Sequence, residues 1–86
     1  MTSDQQRLTE ACYQNLTLRS AIVRATKQLT RQPKPDPELH QTVVVGIFIE
    51  ARRLGIVFSK DMTGEWIKEV VDGVLLLTAT ADEESQ

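Results

Sequence analysis

At 86 residues with 41% apolar content, the chain is one small domain, too apolar for wholesale disorder and near the size where a single core barely suffices. A lone cysteine, Cys12, excludes an internal disulfide and suits a reducing, cytoplasmic setting. The net charge of -2 hides a split: residues 1–35 hold six cations against two acids, and residues 36–86 hold four cations against ten acids.

From about Asp4 to Arg31 the pattern is helical, with Ser3 as the expected N-cap. Leu8, Ala11, Asn15, Leu18, Ile22, Ala25 and Leu29 are spaced alternately three and four apart, the spacing of heptad a and d positions. Cys12, Leu16 and Val23 widen that face, which suits a bundle better than an isolated two-stranded coil. Asn15 carries two readings: a polar residue that fixes register, or the place where the helix stops packing. Pro33 and Pro35 end the helix and make residues 32–37 a semi-rigid connector.

A second helix is announced at both ends. Asp36-Pro37-Glu38 supplies an N-cap oxygen, a proline at the first helical position and an acid in the first turn; Arg52, Arg53 and Gly55 supply last-turn cations and a left-handed stop. Between them, Val43-Val44-Val45-Gly46-Ile47-Phe48-Ile49 is apolar nearly all round, which predicts burial by protein on every side. By propensity alone, these β-branched residues would make a strand and an α+β fold; length and caps favour the helix. A third helix is predicted from about Lys60, capped by Ser59, to Leu77. Asp61, Glu65, Glu69 and Asp72 fall on one face, and Trp66, Ile67, Val70, Val71, Val74 and Leu77 on the other. Gly73 inside it is expected to admit a close helix contact. Residues 1–3 and 79–86 read as frayed tails.

The expectation is therefore an all-α, three-helix single domain over residues 1–86, completed by dimerisation, with the second helix central. Few residues point to catalysis. His40 and Cys12 sit on different predicted helices, and a nucleophile pair needs hydrogen-bond contact; Cys12 reads as a buried hydrophobe and His40 as a surface residue. No paired-cysteine metal site, calcium loop or clustered phosphate-binding glycines are present, and the acidic row of the third helix reads as a solvated face. Neither an enzyme nor a cofactor is expected. An apolar signal region is not apparent, and no apolar run approaches the ~18 residues of a membrane span.

Two partner classes remain. Complementary charged stripes (Arg24, Lys27 and Arg31 on the first helix; Asp61, Glu65 and Glu69 on the third) suit pairing within the chain or across a dimer. With apolar positions Leu18, Ile22, Leu29, Val44, Phe48 and Trp66, they are the expected contacts of a homodimer or an obligate protein partner. The favoured function is a small non-enzymatic, regulatory interaction module. The alternative is a nucleic-acid-binding regulator, because Glu50-Ala51-Arg52-Arg53-Leu54-Gly55-Ile56 resembles a helix-turn-helix turn. The recognition helix would then present acids to phosphate, which disfavours it.

Overall fold

The structure, a computed structural model, describes residues 1–31, 36–57 and 64–84, with the side chains of 29–31 and 82–84 excepted. The described residues form four helices and no strand: α1 (Ser3–Gln14), α2 (Leu16–Arg31), α3 (Pro37–Arg53) and α4 (Gly64–Glu84). The all-α expectation holds and three helices become four. The first expected helix is broken at Asn15.

That break has a local cause. Asn15 is extended, at φ -82 and ψ 100, so it cannot continue the helical path. Its own polar groups absorb the interruption. The backbone N–H still donates to the Ala11 carbonyl at 3.2 Å, closing α1, and the carbonyl accepts from the Arg19 N–H at 2.8 Å, opening α2. The side-chain oxygen accepts from the Leu18 N–H at 3.1 Å, an N-cap three residues ahead. Arg19 then lies 4.6 Å from the Tyr13 ring centre, a cation–π contact that bridges the break.

The start of α1 and both ends of α3 are capped as the sequence suggests, with one shift. Thr2, rather than Ser3, caps α1: its hydroxyl accepts from the Gln5 N–H while the Gln5 side chain accepts from the Thr2 N–H, a reciprocal capping box. Asp36 caps α3 through the Glu38 N–H, with Pro37 at the first position. At its far end the Gly55 N–H donates to Arg52 and the Ile56 N–H to Ala51. Gly55 at φ +74 permits this Schellman closure, and Ala51 and Ile56 are both buried beneath it. The Arg7 guanidinium donates to the Leu54 carbonyl at 3.0 Å, tying α1 to the same end. The helix through α4 runs on to Glu84, past Thr78 where the sequence suggested fraying. The expected start at Ser59-Lys60 and most of the 32–37 connector lie outside the described residues.

Leu8, Cys12, Leu18, Ile22, Ile47, Val70 and Val74 form the core, drawn from all four helices. α1 packs chiefly on α4 and α2 chiefly on α3. The first of these contacts depends on Gly73, where an added Cβ would lie 2.7 Å from the Thr9 methyl. The second has Gly46 facing Leu18 in the same way, at 2.6 Å. α3 has close backbone contact with α1 and α2 but not with α4 among the described residues, so within one chain it is not the central helix.

Candidate interaction surfaces

The residues expected to meet a partner divide on inspection. Leu18 and Ile22 are enclosed by the chain's own core. Trp66 is half-buried against that core, and Val44 lines a groove beside it. Phe48 is 43% exposed. Arg24, Lys27, Glu65 and Glu69 are on the surface, whereas Asp61 and the side chains of Leu29 and Arg31 lie outside the described residues. The two ion pairs that join described side chains are local, Arg7 to Asp4 and Arg53 to Glu50, and neither links α2 to α4. Glu69 instead accepts from the Gln5 side chain at 2.6 Å, while Gln5 also donates to the Trp66 carbonyl at 3.2 Å. A buried glutamine therefore joins α1 to α4.

Why the apolar α3 segment leaves a surface follows from helix geometry. Val43, Ile47 and Ala51 point inward and are buried. At 100° per residue, Val45, Phe48 and Ile49 turn to the opposite side. They remain 46%, 43% and 54% exposed. Gly46, Thr42 and Gln41 complete a shallow trough along this face. Glu38 stands at one end and Arg52 at the other, both exposed and in no ion pair with a described residue.

Three further concavities are present. An apolar groove of about 270 Å³ runs between α2, α3 and α4, lined by Ile22, Val44, Ile47, Ile67 and Val71, with His40 and Lys68 among its lining residues. A second apolar patch on α4 comprises Leu76, 68% exposed, and Leu77, beside Met1. An open polar crevice of about 430 Å³ lies between the α1–α2 break and the end of α3. Its floor is the buried Glu50 carboxylate, which accepts from the Asn15 amide at 2.9 Å and from the Arg53 guanidinium at 3.2 Å. Every buried polar side-chain atom among the described residues has a hydrogen-bond partner, so the crevice holds no unsatisfied group awaiting a ligand.

Burial, and then the Glu50 charge, push the Cys12 thiol up to about 12. It is a neutral core side chain, not a thiolate nucleophile at physiological pH. His40, the potential base, is exposed on α3, whereas Cys12 is sealed in the core. Glu65, Glu69 and Asp72 share α4, yet no three potential metal ligands converge among the described residues. No described helix is long and apolar enough to cross a membrane.

The helix-turn-helix features of residues 50–56 take a structural role here: buried Ala51 and left-handed Gly55 close α3. The rest of that reading, the turn and the start of the following helix at residues 58–63, lies outside the described residues. Comparison with protein-family models, with curated proteins and with solved structures gives no match.

Sequence reasoning did not single out Gln5, Thr9 or Glu50. The first had a legible signal, since Thr2 and Gln5 stand at capping-box spacing. A single acid inside an apolar run, Glu50, is a weaker one.

Proposed function

We propose that this chain is a small, non-enzymatic interaction module of regulatory type, working in the cytoplasm by helix-face association, as a homodimer or with an obligate protein partner. The observation that carries this reading is the outer face of α3, where Val45 and Ile49, one turn apart, stay about half exposed. An amphipathic helix normally turns such residues inward and leaves polar ones outside. Here both sides of α3 are apolar, and only one is buried among the described residues. Recognition by a helix face is an established mode of protein–protein contact.

Light scattering over a concentration series tests it. A mass above 9.7 kDa that Ile49→Asp returns to 9.7 kDa supports the reading. Ile49 is exposed, so this substitution should leave the fold intact. The nucleic-acid reading draws less support, because α3 and α4 make no close backbone contact among the described residues and α4 presents Glu65, Glu69 and Asp72. A 9.7 kDa species at every concentration that bound DNA with a steep salt dependence would transfer support to it.

A further inference from the structure

The exposed face of α3 has a symmetry that chooses its occupant. Glu38 and Arg52 lie seven residues to either side of Val45. Seven residues are nearly two full turns, so all three share one face, with each charge roughly 10 Å along the axis from the centre. Both charges and Val45 are exposed. A second α3 laid antiparallel on this face, about a twofold axis at Val45, brings Glu38 of each copy to Arg52 of the other. Val45 then meets Val45 at the centre, with Ile49 beside it. A parallel arrangement would instead set Glu38 against Glu38 and Arg52 against Arg52.

We infer that the outer face of α3 is an isologous dimerisation surface, in which two copies of this chain pack α3 antiparallel with Val45 on the twofold axis and reciprocal Glu38–Arg52 pairs at both ends. A twofold interface requires a self-complementary surface, and this stripe has opposite charges at equal distances from an apolar middle. Exposed ion pairs of this kind contribute modestly to affinity; they select orientation and register. Because one helix face is a small interface, the dimer belongs to the weak, reversible class, with Kd on the order of micromolar. This inference rests on the association reading above and specifies its geometry. The rival patch at Leu76 and Leu77 shows no comparable charge symmetry among the described residues.

Two charge reversals test it in the full-length chain by sedimentation velocity. Glu38→Arg alone creates two Arg–Arg encounters per dimer, and Arg52→Glu alone creates two Glu–Glu encounters. Each should weaken self-association roughly tenfold or more. Mixed one to one, the two variants should recover a heterodimer, because every end pair is again opposite in sign. Far-UV circular dichroism confirms that each is folded. As an independent check, Val45→Cys should give a disulfide-linked dimer under mild oxidation, since the position lies on the axis and Cys12 is buried. Swapped variants that dimerise as well as wild type, or Val45→Cys that does not cross-link, would overturn the register and leave association through another face standing. A wild-type chain that is monomeric at every concentration would overturn the dimer altogether and leave only the obligate-partner form of that reading.

Discussion

Gly73→Ala should destabilise the protein, although the same change in an exposed helix interior normally stabilises. Alanine gains about 1 kcal/mol over glycine in a helix interior. At position 73 the new Cβ would stand 2.7 Å from the Thr9 methyl and 3.2 Å from its hydroxyl oxygen. Thr9 cannot yield cheaply. It is buried, β-branched and held by a hydrogen bond to the Gln5 carbonyl at 2.6 Å. Overpacking of this kind costs about 1–3 kcal/mol, so the net loss should be about 1 kcal/mol. Thr9→Ser removes the clashing methyl while keeping the hydroxyl, at its own cost of about 1 kcal/mol. In that background Gly73→Ala should change sign and stabilise, a coupling of about 2 kcal/mol across the pair. Urea unfolding followed by circular dichroism, at fixed protein concentration, measures all four corners. Stabilisation by Gly73→Ala in the wild-type background, or an equal effect in both, would refute the close α1–α4 contact.

The remaining predictions concern the break and the buried thiol. Asn15→Ala removes the α2 cap and the amide donated to Glu50, and should cost about 2 kcal/mol in the same assay. Asn15→Ser keeps a capping oxygen and loses only the Glu50 contact, so it should cost about half as much; equal losses would deny the capping role. Cys12 should resist alkylation in the folded chain and react readily once urea unfolds it. Its folded pKa of about 12 lies above the unfolded 9.0, so its share of stability is complete below pH 9 and fades as pH rises toward 12. The margin by which wild type exceeds Cys12→Ala should therefore shrink above pH 9; a margin constant across that window would contradict the burial of the thiol. Gly46→Val, which drives methyl groups into Leu18, should lower the unfolding midpoint more than Val45→Ala one position away.

What the sequence made legible was local. Asp36-Pro37-Glu38 and Gly55 set the ends of α3 because capping depends only on neighbours in the chain. Those signals, with packing against α1 and α2, outweighed the strand propensity of residues 43–49. The break at Asn15 was obscured because the three-and-four spacing continues across it: α1 and α2 turn their apolar sides to the same core. An asparagine three residues before a helical N–H was the signal that heptad counting overrode. Spacing also shows which side of a helix is apolar, but not what covers it. Leu18 and Ile22 are therefore enclosed by their own chain, whereas Phe48, on an equally apolar segment, faces outward. Within one chain the helix expected at the centre lies to one side, because α1 pairs with α4 through Gly73 and Gln5, a contact over sixty residues apart in sequence.

An isotope-filtered NMR experiment on an equal mixture of labelled and unlabelled chain tests the central claim most directly. Nuclear Overhauser contacts are expected between the Val45 methyls of one copy and those of the other, with α3 amides from Glu38 to Arg52 shifting as concentration rises. Intermolecular contacts confined to Leu76 and Leu77, or spectra unchanged from micromolar to millimolar protein, would contradict it.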